Sequence, residues 1–276
     1  MSISAFRIQA QQLIPIPTNA ASPDELTRQL PRGLYSTFST NHHGTRILGL
    51  SAHLDRLYLP AAEQHIQPSA SRADLQPALA TLASANAPGE SRFRLLLSAS
   101  DGMIYIIVQP FAPLSNEIYE RGVKVITAEL TRHNPRLKDS GFIAESQPER
   151  MKVNGGIFEV LLTHKGKIYE GMTSNFYAVT QIANLRHIVT ARRGILLGVT
   201  RRIVLRLARG QGMDIVYRPP RVDEHFAEAF LTSSSRGIVP IVQINDSRVG
   251  EGRPGAWTKV LSLAYQAYVE ERSEAI

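Results

Sequence analysis

Three kinds of residue in this chain could do chemistry together: a carboxylate, an amine and groups able to hold an anion. The stretch LLTHKGKIYEGMTSNFYAV, residues 161–179, reads as a strand, a tight turn and two further strands, with Glu170 among apolar neighbours. A buried carboxylate is costly unless something pairs with it. Two partners suit Glu170: a nearby Arg, or the protonated ring nitrogen of a bound heteroaromatic molecule. The amine is Lys138, in TRHNPRLKDSGF, at a bend marked by Pro135 and Asp139-Ser140-Gly141. It is either a solvated surface lysine or, sunk between Leu137 and Phe142, an amine whose burial frees it for Schiff-base chemistry. Lys124, within an apolar strand, and Lys152, near Gly155-Gly156, are competing amines.

Anion-holding groups occur in three places. GVTRR puts Val199 and Thr200 at the opening of a helix, where backbone N–H groups and a hydroxyl can face an anion. TSSSRG, residues 232–237, is a Ser-rich loop of similar character, and HLDRL places Arg56 on a helix. Each also has an ordinary reading: helix capping, a surface loop, and an ion pair on a solvated helix.

The elements that must position these groups can be read from pattern and punctuation. YSTFST, a turn at residues 41–44 and TRILGLSAHLDRLYLPAAEQ read as strand, turn, strand and helix. ADLQPALATLASAN reads as a helix, and residues 91–113 as a hairpin about Asp101-Gly102. Pro113 and the polar residues after it mark a boundary, which predicts a first domain over 1–113, a linker over 114–121 and a second domain over 122–276. In the second domain, VKVITAEL reads as a strand, GVTRRIVLRLARGQG as a helix between Gly198 and Gly210, DEHFAEAF as a short helix, and GAWTKVLSLAYQAYVEER as a closing helix. Strands run early and helices late in each half, which argues for an α+β fold.

The 276 residues are 43% hydrophobic, enough for a substantial core, and include no Cys. A disulfide scaffold and a thiolate metal site are thereby excluded, and no metal site is expected. The net charge is +7, but Arg and Lys are scattered, with doublets only at Arg192-Arg193 and Arg201-Arg202. An ordinary basic surface is expected, without a nucleic-acid partner, and with anionic small molecules as the remaining reading. No apolar run reaches membrane-spanning length, and the first 18 residues are too polar for a signal peptide, so no membrane partner and a cytoplasmic location are expected.

Taken in order, HLDRL, NPRLK, GKIYEGMTSNFYAV, GVTRRIVLRLA and FLTSSSRGIVPI resemble the class IV, or fold-type IV, pyridoxal-phosphate enzymes. That family includes branched-chain aminotransferases, D-amino-acid aminotransferases and aminodeoxychorismate lyases. The resemblance implies the following roles. Lys138 would carry the covalent link to pyridoxal 5'-phosphate and move the proton at the substrate Cα. Glu170 would hold the pyridine nitrogen protonated, so that its partner is the cofactor and not protein. Arg56 would bind the phosphate with Val199, Thr200, Ser233 and Ser234. Ser174 and Asn175 would lie by the cofactor, and Tyr35, Phe38, Arg94 and Ser235 would face the substrate. The family pattern further implies a homodimer and two α+β domains, the smaller closing the substrate pocket, with Lys138, Glu170 and Thr200 all in the larger. Two departures stand out: DSGFIAES lacks the Tyr that many relatives carry after the lysine, and Ser39 stands where many have a basic residue. An apolar-aromatic wall of Tyr35 and Phe38, with Arg94 as at most one carboxylate anchor, favours an aminotransferase taking a hydrophobic, branched-chain-like amino acid and a 2-oxo acid. An aminodeoxychorismate lyase or a D-amino-acid aminotransferase is the alternative.

Overall fold

The computed structural model describes residues 3–182 and 185–276. The chain divides into two compact units, and neither is a continuous stretch. The first comprises Met1–Pro113, Leu137–Glu145 and Glu271–Ile276; the second comprises Leu114–Arg136 and Ser146–Glu270. Both are α+β, as the order of strands and helices predicts.

The first unit opens with β1 (Ser4–Gln9), β2 (Gln12–Ile16), α1 (Pro23–Gln29), β3 (Gly33–Asn41) and β4 (Arg46–Leu48). It continues with α2 (Leu50–Glu63), α3 (Arg72–Ser84), β5 (Glu90–Ser98) and β6 (Ile104–Phe111). After the first passage through the second unit, with α4 (Asn116–Arg121) and β7 (Val123–Glu129), the chain returns for α5 (Gly141–Glu145). The remaining elements are α6 (Gln147–Arg150), β8 (Ile157–His164), β9 (Lys167–Gly171), β10 (Asn175–Ile182), β11 (Leu185–Thr190), α7 (Val199–Gly210), β12 (Asp214–Tyr217), β13 (Glu228–Ser233), β14 (Gly237–Ile244), β15 (Ser247–Arg248) and α8 (Ala256–Arg272). A last strand, β16 (Ser273–Ala275), belongs again to the first unit.

The first sheet is antiparallel, in the order β16-β4-β3-β5-β6-β1-β2. Its strands alternate as a two-residue period requires. Leu34 and Phe38 of β3 join Phe93, Leu95 and Leu97 of β5 in a core shared with Leu50, Leu54, Leu57 and Ala61 of α2. Tyr35 and Leu96 point to the other face and meet Ile143 of α5. The α2 residues recur at the spacing of one helical face, and α3 starts at a capping box in which Ser71 and Asp74 satisfy each other's backbone.

The second sheet closes on itself. β10, β13, β14, β7, β8 and β9 form a ring, sealed where β9 meets β10 at Glu170 opposite Asn175. β7 runs parallel to both β8 and β14. The interior is filled by Val125, Leu161, Ile168, Phe176, Ala178, Leu231, Val239 and Ile241. Tyr177 and Phe230 face the other way, with rings stacked at 4.7 Å and Arg201 of α7 over Tyr177.

Three expectations change. The stretch 114–121 is not a linker: it forms α4, and Leu114, Ile118 and Tyr119 pack on the second core. DEHFAEAF is not a helix: its last three residues enter β13, held between β10 and β14, where Ala229 and Phe230 are buried. Sheet pairing on both sides overrides the helical propensity of Glu and Ala. Lys138 does not belong to the second unit, because its segment is hydrogen-bonded to the start of β3.

Phe93 is fully buried, with its ring 5.9 Å from that of Phe38. Phe93→Ala is expected to destabilise the first unit by about 3–5 kcal/mol. A urea titration checks this as a lowered midpoint with an unchanged slope.

Candidate active site

In the second unit, Glu170 lies one residue from the end of β9 and is 2% exposed. Its partner is protein, which corrects the expectation that only a cofactor would pair with it. Arg132, six residues before Lys138 and also buried, donates from Nε to Glu170 Oε1 at 2.7 Å and from Nη2 to the Met172 carbonyl at 2.9 Å. The Leu196 N–H donates to Glu170 Oε2 at 3.0 Å, and Asn175 Nδ2 lies 3.4 Å from the same oxygen while donating to the Leu196 carbonyl at 2.7 Å. Asn175 thus ties the end of β9 to the loop before α7. A Cβ at Gly198 would run into Asn175 Oδ1, so only glycine fits there.

Past Gly198 the chain enters α7. The N-cap residue Gly198 is extended, and no side chain caps the helix. The first-turn N–H groups of Val199 and Thr200 therefore suit an anion. The Thr200 hydroxyl lies 3.4 Å from Ser234 Oγ. Tyr265 is hydrogen-bonded to Thr200, and burial lifts its phenol to about 12 against that bond, so Tyr265 stays neutral. Arg201 is buried and turned inward, donating to Thr190 Oγ1 at 2.7 Å and to the Ala191 carbonyl at 2.6 Å. Ser174 directs its hydroxyl at Glu159, at 3.3 Å, and not at Glu170. Ser233 accepts from Arg236 Nε at 3.0 Å, and Ser235 is half-buried in the same turn.

In the first unit, the segment carrying Lys138 runs against β3. The Tyr35 N–H donates to the Lys138 carbonyl at 2.8 Å, and Ser140 N–H to the Gly33 carbonyl at 2.9 Å. Arg32 holds Asp139 through two nitrogens; burial pushes the Asp139 carboxyl up, but Arg32 and the Gly141 N–H outweigh it and keep the group below its usual range. Lys138 Nζ then lies 4.6 Å from the centre of the Tyr35 ring. Lys124 is exposed, and Lys152 is half-exposed and paired with Glu149 at 2.7 Å.

The expected substrate wall is only partly present. Tyr35 flanks Lys138, but Phe38 is 1% exposed and faces the helices, with its ring 4.9 Å from that of His53. The alternation of β3 places Tyr35 and Phe38 on opposite faces. Arg94 lies over Tyr35 at 5.1 Å, but its guanidinium is held by Asp24 at 2.8 Å, Thr27 at 2.8 Å, Thr37 at 3.2 Å and the Pro23 carbonyl at 3.0 Å. Arg94 is therefore a strut and not a carboxylate anchor.

Arg56 is half-buried on α2. One turn earlier, His53 shares a 2.9 Å hydrogen bond with Ser36 Oγ through Nδ1. Burial pushes His53 well below its usual 6.5, and the charges of Arg56 and Lys138 act in the same direction.

A family model for amino-transferase class IV matches residues 33–244. The chain belongs to the class IV aminotransferases. It is 28% identical over 253 residues to a branched-chain-amino-acid aminotransferase of Pseudomonas aeruginosa, covering 84% of this chain and 81% of that one. It is also 28% identical over 231 residues to a D-alanine aminotransferase of Bacillus licheniformis, covering 79% and 81%. Among solved structures, the T.th. branched-chain amino acid aminotransferase with pyridoxamine 5'-phosphate superposes with a TM-score of 0.78 at 18% identity, covering 98% of this chain and 94% of that one. A hypothetical aminotransferase from Mycobacterium tuberculosis in its PLP-bound form superposes with a TM-score of 0.76 at 19% identity, covering 98% and 100%. The fold is thus fold-type IV, and the protein is a pyridoxal-phosphate-dependent aminotransferase. Among the described residues, no helix is long and apolar enough to cross a membrane.

The donor set of this class IV aminotransferase fits that cofactor. It offers a buried acid paired with Arg132 for a pyridinium nitrogen, and an uncapped helix start beside two hydroxyls for a phosphate. The sequence reading missed Arg132, Glu159 and His53. Glu159 carries the signal that marked Glu170, a carboxylate inside an apolar strand. Arg132, among polar residues, reads as surface.

Two outcomes are expected. Arg132→Met leaves a buried carboxylate without its counter-charge and should cost about 3–5 kcal/mol in urea unfolding, and Glu170→Gln, which leaves the buried Arg132 guanidinium without its counter-charge, should cost a similar amount. Above pH 6.5 both folded and unfolded chains hold His53 neutral; below it only the unfolded chain takes up the proton, so stability falls as pH drops. His53→Asn should flatten the loss of stability between about pH 6.5 and about pH 5 by up to about 1.4 kcal/mol per pH unit. An unchanged slope in urea midpoints across that range would refute the assignment.

Proposed function

We propose that this aminotransferase moves the amino group of a hydrophobic, branched-chain-like amino acid to a 2-oxo acid. The observation that carries the reading lies beside Lys138. Nζ faces the Tyr35 ring, and the guanidinium on that ring, Arg94, is already balanced by Asp24. A substrate side chain near the lysine would meet an aromatic face, and Arg94 would offer it no carboxylate anchor. The Pseudomonas aeruginosa relative named for branched-chain amino acids supports this. The D-alanine aminotransferase relative, equally similar at 28%, supports a second reading in which the donor is D-alanine.

When bound, pyridoxal phosphate supplies an electron sink that acidifies the Cα–H of the substrate and carries the amino group from donor to acceptor. The chain's own residues bind, orient and move protons. Lys138 Nζ would hold the cofactor covalently and move the proton at the substrate Cα. Glu170, with Arg132 as its counter-charge, would keep the pyridine nitrogen protonated. Val199 and Thr200 N–H groups, the Thr200 and Ser234 hydroxyls and Arg56 would hold the phosphate. Asn175 would fix the direction of Glu170, with Ser174 and Ser233 bracing the neighbouring turns. Tyr35 and Ser235 would meet the substrate. The same proposal makes the enzyme a cytoplasmic homodimer; a monomer mass by light scattering at micromolar concentration would overturn the dimer.

Purified enzyme should be yellow, with a band near the visible edge that borohydride removes. Lys138→Ala should abolish the covalent link, and Lys152→Ala should keep it. Mixed with single amino acids, the enzyme should convert to its amine form with Val, Leu or Ile. Conversion by D-alanine alone would select the second reading. Inertness toward every amino acid, with pyruvate released from aminodeoxychorismate, would replace both with a lyase.

A further inference from the structure

The second unit contains another buried carboxylate with its own arginine. Glu159 on β8 is 2% exposed, inside the run IFEVLLT. Its Oε2 accepts from Thr173 Oγ1 at 2.6 Å, from Ser174 Oγ at 3.3 Å and from Arg236 Nη2 at 3.0 Å. The Thr and Ser belong to the turn between β9 and β10, which starts beside Glu170. Arg236 belongs to the Ser-rich turn between β13 and β14. One carboxylate therefore joins the two turns that flank the acid and the anion-holding hydroxyls.

Arg236 is gripped throughout its length. Its Nη2 also donates to Thr173 Oγ1 at 2.6 Å, its Nε to Ser233 Oγ at 3.0 Å, and the guanidinium lies 5.3 Å from the Phe158 ring centre. Its carbonyl accepts from the Tyr119 hydroxyl at 2.8 Å. The next residue, Gly237, has φ +62° and sits against the Tyr265 ring, the same Tyr265 that is bonded to Thr200. Ser234 lies between these fixed points and reaches Thr200 at 3.4 Å.

We propose that Arg236 is a positioning residue: paired with Glu159, it locks the Ser-rich turn to the turn between β9 and β10 and so presents Ser234 to the phosphate beside Thr200. This rests on the reading of Thr200 and Ser234 as phosphate-holding groups. A turn of three serines has many accessible shapes, and holding one of them raises affinity by lowering the ordering cost of binding. The pair is neutral as a whole, so its contribution is geometry and not attraction for the anion.

The test measures binding to apo-enzyme of three probes: pyridoxal phosphate, inorganic phosphate and pyridoxal. Arg236→Met and Glu159→Gln should each weaken pyridoxal phosphate and inorganic phosphate by about 10- to 100-fold and leave pyridoxal unchanged. The double variant should be no weaker than either single one, as for residues that act as a unit. Arg236→Lys serves where Arg236→Met does not fold. Unchanged phosphate binding in both variants overturns the inference, and so does an equal loss for pyridoxal, which marks a general structural defect. Tighter phosphate binding in Glu159→Gln also overturns it, because an Arg236 that touched the anion directly would gain from losing its neighbouring carboxylate. Thr200→Val separates the two levels. If it weakens phosphate while the Arg236 and Glu159 variants do not, only the positioning role fails. If it binds phosphate as the wild type does, the phosphate site itself is misplaced and the inference falls with it.

Discussion

The ring of strands in the second unit closes through one pair of residues, Glu170 opposite Asn175. That closure places a carboxylate at the seam of a sheet with an apolar interior, and much of the local structure serves to make it tolerable. Arg132 comes in from the end of β7 with a counter-charge, the loop before α7 contributes an N–H, and Asn175 holds that loop by its carbonyl. Because the loop leads directly into α7, the direction in which the helix presents its first N–H groups is tied to the acid. The groups proposed above for the ring nitrogen and for the phosphate are thereby linked through a handful of hydrogen bonds in one unit.

Charge is handled differently in the two units. The second pairs its buried carboxylates with arginines, Glu170 with buried Arg132 and Glu159 with half-buried Arg236, and turns Arg201 toward uncharged oxygens. The first keeps cations near one another, Arg56 and Lys138, and makes the histidine they share a neutral group. A protonated imidazole there would set a third positive charge beside those two, which burial of His53 and the neighbouring charges disfavour.

Much of this is legible without coordinates. Period-two alternation and the Asp101-Gly102 turn mark the hairpin of β5 and β6, and a carboxylate inside an apolar strand marks Glu170. The failures have physical causes. Phe38 and Tyr35 read as one wall, although three residues apart on a strand they must face opposite ways. Arg94 reads as open to a ligand because a linear sequence does not show Asp24 across from it. DEHFAEAF has helical composition, but the vacancy between β10 and β14 imposes a strand. Arg132 is passed over because a long-range ion pair leaves no local signature.

The first unit is also completed by residues remote in sequence. Its sheet receives the lysine segment beside the start of β3 after the chain has left once for the other unit, and β16 beside β4 after it has left twice. During synthesis, β4 therefore waits as an unpaired edge until the last strand leaves the ribosome, with its hydrogen-bonding groups open to wrong partners. The contacts that seat Lys138 span about a hundred residues, so the loop that closes them is long and its assembly slow relative to the hairpins that form locally. Lys138 is thus brought into register only after the local hairpins beside it have formed.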